Sequence, residues 1–164
     1  KRYERLPLDT VLQVVRVCSD ALSYAHRHGV LHRDLKPANL MLGADGVLKI
    51  IDFGVACLMD KETEKDDVFG TLIYMSPEQV SGEAVDCRTD VYSLGIIVYE
   101  LLTGHHPFPQ TTTDPNVVAA GPPPLDDLPA NIRDAVEKAV SVRRTARWPT
   151  VEQFSRALMD AARK

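Results

Sequence analysis

The sequence predicts a mainly α-helical, α+β fold carrying one short β-hairpin. Three observations support this. Apolar residues at Val11, Val15, Cys18, Leu22 and Ala25 follow the alternating four and three steps of one buried helix face. The stretch from Asp90 to Thr103 is apolar on nearly every side, through Val91, Leu94, Ile96, Ile97, Val98, Leu101 and Leu102, as a helix at the centre of a domain must be. Two short apolar runs, Leu40-Met41-Leu42 and Val47 to Ile51, flank a Gly43-Ala44-Asp45-Gly46 turn and read as a hairpin.

In chain order, Asp9 is placed to cap the first helix, which should stop at Gly29. A polar stretch from His32 to Asn39 separates it from the hairpin. Residues 55–70 then carry five acidic side chains against two lysines, the composition of a solvated loop. After the central helix, residues 105–124 hold six prolines and three consecutive threonines, an extended connection with at most one short helix. Ile132, Val136 and Val140 mark a helix after Pro129. Thr150 with Gln153 forms a capping box for the last helix, whose inner face is Val151, Phe154, Leu158 and Ala161.

The 164 residues amount to one domain with 45% hydrophobic content and a net charge of −4. A mildly acidic chain without a Lys/Arg stripe does not bind nucleic acid by neutralising phosphates. Cys18, Cys57 and Cys87 are too scattered to suggest a disulfide framework or a zinc site. A reducing, cytoplasmic setting is therefore expected. The most apolar stretch, Val91 to Leu102, is interrupted and too short to cross a bilayer. The start Lys1-Arg2-Tyr3-Glu4-Arg5 lacks the apolar core of a signal peptide.

The chemistry concentrates in His32-Arg33-Asp34-Leu35-Lys36-Pro37-Ala38-Asn39 and in Asp52-Phe53-Gly54 after the hairpin. These residues resemble the catalytic loop and the magnesium-binding D-F-G of protein kinases. Ser76-Pro77-Glu78 resembles that family's A-P-E, and Asp90-Val91-Tyr92-Ser93-Leu94-Gly95 resembles the start of its central helix. The four motifs occur in family order, which makes the signal far more specific than a lone D-F-G.

The resemblance implies the large lobe of a serine/threonine protein kinase, with residues 32–39 as catalytic loop, 52–78 as activation segment and 90–162 as helical subdomain. The wording Met75-Ser76-Pro77-Glu78-Gln79 is most similar to bacterial members. The implied reaction transfers the γ-phosphate of ATP, with Mg²⁺, to a protein serine or threonine. Such a reaction needs an alcohol held in line with the phosphoryl group and positive charge beside the oxygens that gain charge. Asp34 is implied as the base, Lys36 as the cation beside the transferring group, and Asn39 and Asp52 as oxygen ligands to Mg²⁺. Phe53 is expected to pack under the hairpin and set Asp52. Met41 is implied under the adenine ring, and Thr71 as a hydrogen-bonding partner of Asp34 and Lys36. Lys36, with Gly70-Thr71 and Tyr74, resembles the serine/threonine rather than the tyrosine branch.

By the same resemblance Glu78 pairs with Arg147, tying the activation segment to the final helices. Asp90 caps backbone amides of the catalytic loop, the N-terminus of its own helix, or both. Arg33 is expected to face a negative charge in the activation segment, which Asp67, with Asp66, supplies. Thr63 is the one hydroxyl residue between Gly54 and Gly70 open to phosphorylation. Ser76 for alanine, and Ser141-Val142 where relatives often have Asp-Pro, depart from the family pattern in positions that concern packing.

No phosphate-covering G-x-G-x-x-G, lysine strand or glutamate-bearing partner helix occurs in the sequence, so the family's small lobe is absent from it. The chain by itself is expected to bind nucleotide weakly, and the implied partners are the small lobe, or a protein covering its interface, and a substrate with a Ser/Thr acceptor. Two alternatives remain: a non-catalytic lobe used as a binding or scaffold module, and a small-molecule phosphotransferase with a related loop. Intact Asp34, Lys36, Asn39 and Asp52 count against the first, and Lys36 with the Thr71 to Glu78 segment against the second.

Overall fold

The computed structural model describes residues 4–53, 72–109, 112 and 114–163. Helix α1 spans Leu8–Arg27 and buries Val11, Val15, Cys18, Leu22 and Ala25, the stripe set by their spacing. Asp9 is not its N-cap. Pro7 takes that place, and Asp9 lies within the first turn, where a carboxylate favours the positive end of the helix dipole. The helix ends at Arg27, and Gly29 turns the chain at φ +74°, with Gly29 N–H donating to His26 O and Val30 N–H to Ala25 O.

The hairpin pairs β1 (Leu40–Leu42) with β2 (Leu48–Ile50) in the register Leu40 to Ile50, Met41 to Lys49 and Leu42 to Leu48. Asp45 Oδ1 accepts from Val47 N–H in the turn, and Gly46 supplies the positive φ of +75° that the tight reversal needs. Ile51 N–H donates to Asn39 O at 3.0 Å, which extends the pairing to the polar stretch before β1.

Helix α2 is the short Pro77–Val80, and α3 is Arg88–Thr103. Val91, Tyr92, Leu94, Ile96, Ile97 and Val98 of α3 are all completely buried, so α3 is the central post of the lobe. Its close neighbour α5 (Ala130–Ala139) approaches at Gly95, where an added Cβ would stand 2.8 Å from Val140 Cγ1 and 3.0 Å from Ala139 Cβ. Gly104 closes α3 in the left-handed region at φ +75°, its N–H donating to Glu100 O.

The proline-rich connection contains one short helix, α4 (Pro115–Ala119), capped by Asp114. The last helix, α6 (Val151–Ala162), opens with Thr150 accepting from Gln153 N–H and buries Val151, Phe154 and Leu158. It packs against α1 and α5, while α3 packs against α1, α5 and α6. One cluster of buried residues from α1, α3, α5 and α6 forms the core, with Phe53, Leu40, Leu48 and Ile50 packed against its edge. Among the described residues, no helix is long and apolar enough to cross a membrane.

Candidate active site

The polar stretch His32 to Asn39 emerges from α1 and is held from beneath by α3. Asp90, fully buried, accepts His32 N–H on Oδ2 at 3.0 Å and Arg33 N–H on Oδ1 at 2.9 Å. Of the two roles open to Asp90, the structure selects the loop contact. Asp90 stands inside α3, whose N-cap position is Cys87. His26 Nε2 lies 2.6 Å from the same Asp90 Oδ2, so the carboxylate gathers three partners from two segments. His26 was not singled out from sequence. Its only signal there is a polar ring next to the apolar stripe at the end of α1.

His32 joins this loop to the strand beyond it. Its buried ring places Nε2 at 2.9 Å from Ile51 O, as a donor, and Nδ1 receives Asp34 N–H at 3.3 Å. The ring also lies against Phe53, with centroids 4.8 Å apart. Asp52 therefore sits between two anchored neighbours, Ile51 and Phe53. Its φ of +61° is a left-handed conformation that non-glycine residues rarely adopt, and its side chain is exposed. Arg33 has the same kind of backbone, φ +65°. Two such residues near one loop are the pattern of strain held in place by surrounding contacts.

Asp34 faces its neighbours unequally. Its Oδ2 lies 3.0 Å from Lys36 Nζ and accepts from Asn39 Nδ2 at 3.2 Å. Its Oδ1 is buried and has no hydrogen-bond partner among the described residues. Asn39 is 94% buried and directs its Nδ2 to Asp34 O at 2.7 Å as well. With both donor contacts spent on Asp34, the amide oxygen of Asn39 is the group left for a cation. The structure thus brings Asp34, Lys36 and Asn39 together, and the Ile51 to Asn39 bond holds the backbone just before Asp52 against Asn39. Met41, on β1, is 53% exposed. Thr71, Thr63, Asp66, Asp67 and Gly70 lie outside the described residues.

Behind the loop, Tyr74 donates its hydroxyl to Glu100 Oε2 at 2.6 Å and sets its ring edge-on to His106. Burial raises the Glu100 carboxyl above its ordinary range, an effect that the Tyr74 hydroxyl partly offsets. Glu78 meets Arg147, as the sequence resemblance implies. Burial pushes the Glu78 carboxyl up, but the hydrogen bonds and charge of Arg147 outweigh it and hold the group below the usual range.

The helical lobe, the hairpin at its edge and a partly buried carboxylate flanked by a lysine and an asparagine are the features of a protein kinase large lobe. The chain belongs to the protein kinase domain family, which it matches over residues 2–160. It is 37% identical over 159 residues to the probable serine/threonine-protein kinase PknB of Bifidobacterium longum, covering 87% of this chain and 22% of that protein. It is 36% identical over 163 residues to the probable serine/threonine-protein kinase CPE1738 of Clostridium perfringens, covering 94% of this chain and 24% of that protein. The crystal structure of the Mycobacterium tuberculosis PknI kinase domain superimposes with a TM-score of 0.76 at 27% identity, over 98% of this chain and 58% of that one. The chain therefore spans about a quarter of the length of these two curated relatives.

Proposed function

We propose that this chain supplies the phosphoryl-transfer lobe of a serine/threonine protein kinase, with residues 32–39 as its catalytic loop, 52–78 as its activation segment and 90–162 as its helical subdomain. The observation that carries this reading is the asymmetry of Asp34. One carboxylate oxygen is neutralised and oriented by Lys36 and Asn39, while the other has no hydrogen-bond partner among the described residues and is the one left to accept a proton. A base placed this way takes the proton of a substrate serine or threonine hydroxyl as its oxygen bonds to the γ-phosphorus and the bond to the β-phosphate oxygen breaks. Lys36 keeps a fixed positive charge beside the oxygens that gain charge.

The donor set fits Mg²⁺ and a nucleotide. Asn39 presents an amide oxygen and Asp52 an exposed carboxylate, hard ligands of the type Mg²⁺ takes alongside phosphate oxygens and water. Held by Asn39 and Asp52, Mg²⁺ would supply positive charge that offsets the charge of the phosphates. Met41 offers an exposed apolar side chain for the adenine ring, and Thr71 is assigned to Asp34 and Lys36. The exposed apolar Met41, Leu42 and Val47 at the hairpin fit coverage by a small lobe or by a protein partner in its place.

The test is Asp34→Asn in the complete gene product, which keeps the Asn39 and Lys36 geometry but removes the base. Transfer of γ-phosphate to a protein substrate should fall at least about a hundredfold, the usual worth of a general base, with nucleotide binding retained. Unchanged transfer would overturn the reading. Absence of transfer by the unaltered protein, with Mg²⁺ and nucleotide present, would support the scaffold alternative.

A further inference from the structure

We propose that Gln79 is a positioning residue for Asp34, a link by which helix α2 sets the peptide plane that carries the base. The proposal rests on the catalytic reading of Asp34. The Gln79 side chain donates Nε2–H to Arg33 O at 2.6 Å, across 46 residues of sequence. At its other end Oε1 accepts Ser76 N–H at 3.1 Å and Ser76 Oγ–H at 3.2 Å. A carbonyl needs a donor and an amide N–H needs an acceptor, so only one orientation of the Gln79 amide satisfies both partners.

What Gln79 grips is the residue in the strained conformation. Arg33, at φ +65°, has its N–H held by Asp90 of α3 and its C=O held by Gln79 of α2. The Arg33 carbonyl and the Asp34 N–H belong to one peptide group. That group is pinned on its oxygen edge by Gln79 and on its nitrogen edge by His32 Nδ1. Its plane fixes the position of the Asp34 Cα, from which the side chain leaves the backbone.

The far end of the link is rigid. Ser76 is fully buried and reaches Thr89 Oγ1 at 3.4 Å, and Thr89 donates to Glu78 Oε1 at 2.8 Å. Glu78 in turn is clasped by Arg147. Helix α2 therefore cannot shift against α3 without disturbing the Gln79 contact, and Gln79 passes the placement of α2 to the base.

Gln79→Glu isolates the contact, since a carboxylate still accepts from Ser76 but offers no donor to Arg33 O. In the complete gene product, after cooperative unfolding has shown the variant to be folded, kcat should fall about tenfold or more. KM for ATP and for the protein substrate should stay within about threefold, because the loss is confined to the transition state. Glycine adopts positive φ without strain, so in an Arg33→Gly background the same substitution should change kcat by less than about threefold. If Gln79→Glu does not fold, Gln79→Met removes the donor without adding charge and is read the same way. A kcat within twofold of the unaltered protein, while Asp34→Asn is inactive, overturns this proposal and leaves the catalytic reading standing. An equal loss in both backgrounds also overturns it. An active Asp34→Asn instead refutes the catalytic reading itself.

Discussion

Arg147 and Glu78, 69 residues apart, meet through two bonds of 2.7 Å, from Nη1 to Oε1 and from Nη2 to Oε2. Arg147 is 2% exposed and Glu78 5%. The remaining Arg147 contacts run to backbone carbonyls: Nε to Ser141, Nη1 to Arg88 and Nη2 to Val142. The guanidinium also lies over the Tyr92 ring, 4.8 Å from its centroid. Ser141 and Val142 serve Arg147 through their backbone, which explains how this chain departs from the family pattern there without losing the contact.

Breaking that pair leaves a buried charge without its partner. Arg147→Met should lower the unfolding free energy by about 3–5 kcal/mol, measured by urea titration. Arg147→Lys should recover little of it, because an ammonium cannot reproduce the two parallel bonds. A loss below about 1 kcal/mol for either variant, the range of an exposed pair, would show that the pair is not a stabilising tie.

Asp90 is the second tie, between α3 and the His32 to Asn39 loop. In Asp90→Asn one side of the group becomes a donor and opposes His32 N–H or Arg33 N–H. Stability should fall by about 2–3 kcal/mol, the scale of a hydrogen bond to a charged group. Amide hydrogen exchange at His32 and Arg33 should accelerate. Unchanged exchange at both would mean that the loop is held by other contacts.

Gly95 is required by the closeness of α3 and α5. Gly95→Ala forces a methyl group within 2.8 Å of Val140 Cγ1, and such overpacking should cost about 1–3 kcal/mol despite alanine's better helix propensity. Val140→Ala in the same chain should restore part of the loss, so the two effects should be less than additive in a double-mutant cycle.

His106 makes stability depend on pH. Burial lowers its pKa to about 4 from the ordinary 6.5, with the charge of neighbouring His105 acting in the same direction and the Phe108 backbone contact at Nδ1 opposing it. The unfolded chain therefore takes the proton first. Its stabilising contribution is complete above about pH 6.5 and declines as pH falls toward 4, by roughly 1.4 kcal/mol per unit. Glu100 works in the opposite sense, since its raised carboxyl loses stability as pH rises through its folded pKa. His106→Asn keeps an acceptor near Nδ1 but does not titrate. The slope of unfolding free energy between pH 7 and 5 should be shallower in that variant, and an identical slope would exclude His106 as its source.

Local sequence was enough for the four long helices and the hairpin, though not for the short helix α2, and the motifs singled out Asp34, Lys36, Asn39 and Asp52 as candidates. A helix face repeats every three or four residues, a hairpin turn announces itself through glycine and aspartate, and phosphoryl-transfer chemistry needs particular side chains at short spacing. The central helix was legible because it is apolar on nearly every side, although it begins at Arg88 rather than Asp90.

Other features were settled only in three dimensions. Asp9 yielded the cap of α1 to Pro7, a choice made by chain direction at the entry to the helix. Asp90 turned to the His32 and Arg33 amides because α3 passes beneath the loop. His26 and Gln79 act on residues 64 and 46 positions away, so neighbouring sequence carries no trace of their partners. The positive φ of Arg33 has no signature in residue type, and that of Asp52 only the weak one that aspartate enters the left-handed region more readily than most residues. Short-range periodicity determined the long helices and the hairpin, and short motifs pointed to the candidate side chains. The contacts that hold the backbone of Arg33 at its positive φ come from distant segments, Asp90 and Gln79, and only the tertiary structure decided them.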